Sequence, residues 1–131
     1  MEDFFGPVIS SYSRAQAIDD GVLVDLMQEE TVGAVKEAGF VFPVAMTAAA
    51  FSVAVCPIDG ELPPGQDLQG RLWDVLTMLN WAIQAGRPHG QTNDRLPFRL
   101  TVSGKRVDLV SVCGLGDDAE PVITIMMPDE D

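Results

Sequence analysis

Residues 96–110 read LPFRLTVSGKRVDLV, and this stretch decides the fold. Phe98, Leu100 and Val102 alternate with Arg99 and Thr101, the period of a strand with one apolar face turned inward. Ser103, Gly104 and Lys105 supply a turn. Either Ser-Gly or Gly-Lys can fill its two central positions, and Gly104 leading a II′ turn fits well. Both registers set Val107 and Leu109 on the same face as Leu100 and Val102, so the hairpin does not depend on which turn forms. Val110 and Val112 fall on the face opposite Leu109, which predicts cover on both faces at the far end. Further on, Pro121–Met127 (PVITIMM) is apolar on both faces and bounded by Pro121 and Pro128, the pattern of an inner strand.

Upstream of the hairpin the apolar spacing changes to that of helices. Leu68, Leu72, Val75, Leu76, Leu79, Ala82 and Ile83 fall on one stripe at the 3.6 period and predict a helix over 68–85. Trp81 points almost opposite that stripe, with Trp73 and Met78 on its two flanks. The helix therefore has protein on both sides or presents an aromatic to a partner. Ser13 and Gln16 have the form of a capping box, and Gly21 can close the same short helix at C′. Asp19 and Asp20 then sit at its negative end, each disfavoured by roughly 0.3–1 kcal/mol unless fully solvated. Residues 22–26 (VLVDL) read as a short strand. A helix is expected over 29–38, with Glu29 and Glu30 in its first turn and Gly39 at its stop. Pro43 suits the first turn of another helix, on which Val44, Ala48, Phe51 and Val55 share one face and Ala45, Ala49 and Ser52 a second, small one. Residues 57–66 and 86–95 read as loops.

The order is short helix, strand, three helices, then three strands. It predicts an α+β fold in a single domain spanning 1–131, with an antiparallel sheet of three to four strands covered by helices from the N-terminal half. A chain of 131 residues with 47% hydrophobic content can bury a core of its own. Residues 38–58 carry no charge over about the length of a membrane span, but Ala45, Ala48, Ala49, Ala50 and Ala54 are weakly hydrophobic and Pro43 and Pro57 bracket the helical part. No membrane partner is expected. The opening MEDFFGP has neither the basic start nor the apolar run of a secretory signal, and Cys56 and Cys113 form no CxxC, which suits buried thiols in a reducing, cytoplasmic setting.

Twenty Asp and Glu face eight Lys and Arg, a formal net charge of −12. Such a surface repels phosphate and argues against direct nucleic-acid binding. It favours a basic protein partner, because long-range attraction speeds encounter. Asp117, Asp118 and Glu120 crowd the loop before the last strand, and Asp129, Glu130 and Asp131 end the chain. The two groups bracket a strand roughly 20 Å long, a spacing that can imitate phosphates to a protein that grips DNA. With Trp73 and Trp81 as aromatic anchors, these acids form the candidate partner-binding set. The loop lacks the alternating acids, central Gly and distal Glu of an EF-hand, so no metal is assigned to it. His89 is the lone histidine, and no nucleophile elbow surrounds Cys56, Cys113 or any serine. No cofactor and no catalytic residue is assigned.

Three segments together carry a resemblance: residues 12–25 (YSRAQAIDDGVLVD), 70–76 (GRLWDVL) and 116–125 (GDDAEPVITI). The chain resembles a domain-of-unknown-function family of small bacterial proteins carried on plasmids and phages, over nearly its whole length. The resemblance implies no catalytic residues. By analogy of context it implies an inhibitor of a host nucleic-acid-handling defence system, of the anti-CRISPR or anti-restriction type with a DNA-mimic surface. Two alternatives stand beside it: an interaction module or homodimer built on the Trp81 face, and a small hydrolase or transferase using His89 or the acidic loop.

Overall fold

The computed structural model describes residues 13–55, 68–86, 95–102 and 104–130. His89, Cys56, Ser103 and Asp131, with the loops expected at 57–66 and 86–95, lie wholly or mostly outside that set. The elements run α1 (Arg14–Asp19), β1 (Leu23–Asp25), α2 (Val32–Glu37), β2 (Val44–Thr47), α3 (Ala48–Ala54), α4 (Leu68–Gly86), β3 (Arg95–Val102), β4 (Lys105–Leu115) and β5 (Pro121–Met126). The fold is α+β, but its sheet is larger and less uniform than the sequence suggests. Five strands lie in the order β1-β2-β5-β4-β3. All neighbours are antiparallel except β2 and β5, which run parallel with Val44 opposite Ile123 and Met46 opposite Ile125.

The added inner strand is β2, which corrects the helix expected to begin at Pro43. Val44, Ala45, Met46 and Thr47 are all buried. A strand covered on both faces shows no alternation, and a four-residue apolar run reads equally well as one face of a helix. The helix starts only at Ala48, where the Thr47 hydroxyl accepts the Ala50 N–H at 3.1 Å. The small face of Ala45, Ala49 and Ser52 therefore does not exist as a helical face.

The hairpin pairs Val102 with Lys105, Leu100 with Val107 and Phe98 with Leu109. Its two linking positions are thus 103 and 104, and Gly104 (φ +78°) is the second of them. That corrects the preference for Gly104 as the leading residue, and the shared inner face survives, as both registers required. Val110 is buried opposite Leu109 and Val112 is half-buried, but the strand then outruns its cover: Cys113, Gly114 and Leu115 are exposed. Cys113 is consequently an exposed free thiol rather than a buried one.

The remaining helices follow local rules. At α1 the capping box forms in full, with Gln16 N–H donating to Ser13 Oγ and Ser13 N–H to Gln16 Oε1, both at 3.0 Å. Both α1 and α2 end in a left-handed glycine, Gly21 (φ +80°) and Gly39 (φ +96°). In each case the next residue closes back onto the helix, Val22 N–H to Ala17 O and Phe40 N–H to Val35 O. Helix α2 is shorter than expected because a turn from Gln28 to Thr31 precedes it, leaving Glu29 and Glu30 ahead of the helix. In α4 the predicted stripe is the core: Leu72, Val75, Leu76 and Leu79 are fully buried against Phe98, Leu100, Leu109, Ile123 and Ile125. Both halves of the chain contribute to this one cluster. Among the described residues no helix is long and apolar enough to cross a membrane.

Candidate functional site

The acidic loop between β4 and β5 is a tight hairpin of defined geometry. Ala119 N–H donates to Gly116 O and Gly116 N–H to Glu120 O, the pattern of a type I turn followed by a left-handed residue. Ala119 holds that left-handed position (φ +63°), where glycine is the usual occupant. Gly116 lets the Glu120 side chain fold back over it, since a Cβ there would lie 2.5 Å from the Glu120 carboxylate. Folded back, Glu120 Oε1 accepts the Asp118 N–H at 2.9 Å.

Asp117 is joined to the other end of the chain. Its two carboxylate oxygens accept the N–H groups of Arg14 and Ala15, at 2.8 and 3.0 Å, the first two donors of α1. Together with Ser13 it satisfies the opening of that helix, and its charge suits the positive end of the dipole. The Arg14 side chain continues over the sheet, donating to Thr124 Oγ1 (2.7 Å) and Ile123 O (3.1 Å). Burial lowers the Arg14 pKa, while the carboxylates of Asp25, Glu120 and Asp117 act in the opposite direction and favour its charge. A half-buried cation is thus held among three acids by α1, β1, the loop and β5.

The C-terminal acids divide in a similar way. Glu130 Oε1 accepts the Thr47 hydroxyl (2.7 Å) and the Met127 N–H (2.8 Å), which ties the end of β5 to the end of β2. Asp129 is exposed, as is Asp118. Of the described acids in the partner-binding set, Asp117, Glu120 and Glu130 bind the protein's own polar groups, and Asp117, Asp118 and Asp129 are exposed.

The tryptophans are where the helix period puts them. Trp81 is 68% exposed and Trp73 40%. Gln69, Trp73 and Asn80 share one flank of α4. On that flank Asn80 Nδ2 donates to Ala38 O at 3.0 Å and Gln69 Nε2 donates to Glu30 O, fixing α4 against α2 and the turn before it. Glu29 and Glu30 are exposed beside the first turn of α4. Asp74 precedes Trp81 by seven residues, and so lies on the same line of the outer surface.

A model described as a family of unknown function, DUF6573, matches residues 1–131. The chain belongs to this family. No curated protein and no solved structure matches it. In this DUF6573 chain, two of the three segments that carried the resemblance are in direct contact: 13–25 meets 116–125 through Arg14, Asp117, Ile123 and Thr124. Nothing in the sequence signals that cluster, because its partners are more than a hundred residues apart. Among the described residues no group of three His, Cys, Asp or Glu is placed to hold a metal ion.

Proposed function

We propose that this chain is a non-catalytic binding protein that receives a basic partner surface on the outer face of α4. Trp81 is the anchor, and Trp73, about two turns earlier and rotated toward the α2 flank, is a second, less exposed ring. The observation that carries the reading is the exposure of Trp81, 68% open on a helix whose opposite face is fully buried. Exposed aromatics of this kind supply much of the binding energy in protein interfaces, because they bury a large area at little cost in side-chain entropy. Asp74, Glu29 and Glu30 on or beside the same helix, within a net charge of −12, add attraction toward a basic surface and raise the rate of encounter. The acid groups at 117–120 and 129–130 contribute through Asp118 and Asp129 and through the general field.

Affinity capture with the wild-type chain and with Trp81→Ser tests this. The expected result is a basic partner retained by the wild type, lost in the variant and released by salt. Equal retention by Trp81→Ser, or retention indifferent to salt, contradicts it. The narrower form, an inhibitor that mimics DNA to a nucleic-acid-handling protein, requires in addition that DNA compete with this chain for the partner. A homodimer through the same face is the second reading, favoured by the same exposed Trp81. Sedimentation decides it: a dimer at micromolar concentration that Trp81→Ser dissociates supports the homodimer instead.

A further inference from the structure

We propose that the open edge of β3 takes an acidic, extended peptide as a sixth strand of the sheet. Among the described residues β3 is an edge, paired only with β4. Pro97 lies within it, and a proline keeps its place in a paired strand where its missing N–H would have pointed off the sheet. Antiparallel pairs alternate, so the backbone groups of Arg99 and Thr101, two and four residues on, point off that same edge. Those groups are a ready template for another strand.

Charge selects the occupant. Arg95, Arg99, Lys105 and Arg106, four of the eight basic residues of the chain, gather on this one hairpin. Among the described hairpin residues only Asp108 opposes them, bound to Arg99 at 2.8 Å and to Arg106 at 3.6 Å. Arg95 and Arg99 thus lie on the edge strand itself, Arg95 also donating to Pro128 O at 2.9 Å, with Lys105 and Arg106 behind them on β4, a locally cationic hairpin on a strongly acidic chain. Two copies of β3 paired edge to edge would bring Arg95 and Arg99 of each against those of the other, which disfavours self-pairing. Carboxylates at alternate positions of an incoming strand meet Arg99 instead. An open groove of about 420 Å³ runs beside the edge, lined by Asp74, Thr77 and Met78 of α4 and by Arg99, Leu100 and Thr101 of β3. The Thr77 hydroxyl oxygen on its wall is buried and has no hydrogen-bond partner among the described residues. The groove takes the alternate, uncharged side chains of the same peptide, since Asp74 on its wall disfavours a carboxylate there.

The test uses the full chain and two fluorescein-labelled octapeptides, alternating Glu–Val and alternating Lys–Val. Anisotropy is read at 0.15 M salt, where a Debye length of about 8 Å screens the distant acids but not the contacts. The Glu–Val peptide should bind saturably and at least about tenfold more tightly than the Lys–Val peptide. Arg99→Glu should weaken it by at least about tenfold. Thr101→Pro, which removes one outward N–H and leaves the β4 ladder intact, should abolish it. In the wild type the Arg99 and Thr101 amide resonances should shift on peptide addition, a readout that needs no variant. Equal binding of the two peptides, no change in Thr101→Pro, unmoved amides, or a dimer in sedimentation that Thr101→Pro dissociates would each overturn the proposal.

Discussion

Asp117 illustrates how one carboxylate can be read two ways. In the sequence it is part of an acidic cluster; in the fold it caps a helix whose first residue lies 103 positions earlier. Truncating it should act on stability. Asp117→Ala is expected to cost about 1–2 kcal/mol in chemical denaturation, since it removes two charge-assisted bonds from the start of α1. Asp118→Ala, on an exposed side chain one residue along, should stay within about 0.5 kcal/mol of wild type. Ala119 gives a prediction of the opposite sign. Its left-handed backbone suits glycine, so Ala119→Gly should gain about 0.5–1 kcal/mol net of the extra freedom glycine brings to the unfolded chain, read by the same denaturation. Asp108 supplies a pH test. The hydrogen bond from Arg99 holds its carboxyl below the ordinary aspartate range. A depressed pKa means that the interaction is present above the unfolded pKa and lost as pH falls through the folded one. The Asp108 carboxyl titration followed by NMR should have a low midpoint, and Arg99→Gln should raise it.

At the scale of elements, legibility tracks how much of the signal is local. The β3–β4 hairpin, the capping box of α1, the glycine stop of α2 and the stripe of α4 each depend on residues a few positions apart, and each is present where the spacing put it. Strand β2 is different. Its four residues are buried by β1, β5 and the helices, so the alternation that would have identified it is erased by tertiary cover. The one local cue was Thr47, a cap residue whose hydroxyl fixes where α3 can begin. The parallel pairing of β2 with β5 follows from that misread strand and carries no sequence mark of its own. Two substitutions on α4 separate folding from the proposed recognition. Leu79→Ala, on its fully buried face, should cost about 2–5 kcal/mol. Trp81→Ser, on its exposed face, should leave the denaturation midpoint nearly unchanged, within about 0.5 kcal/mol. A large loss of stability in Trp81→Ser would mean that this ring packs within the monomer.

For the whole molecule, charge is the property read most directly from the sequence, and its distribution the one read least. Some of the clustered acids also serve the fold: Asp117, Glu120 and Glu130 accept hydrogen bonds that stitch α1, the β4–β5 turn and the end of β2 together. Four of the eight basic residues, Arg95, Arg99, Lys105 and Arg106, sit together on the β3–β4 hairpin because they are close in sequence. Among the described residues the exposed Trp81 has Asp74, Glu29 and Glu30 on or beside the same helix, while Arg95 and Arg99 lie on the β3 edge. Partner binding at Trp81 is read from the emission of that ring, isolated in a Trp73→Phe variant, as the captured basic partner is added. The account predicts a blue shift and protection from acrylamide quenching that saturate with partner and weaken as salt rises. A partner that binds fully while Trp81 emission and quenching stay as in the free chain would contradict it.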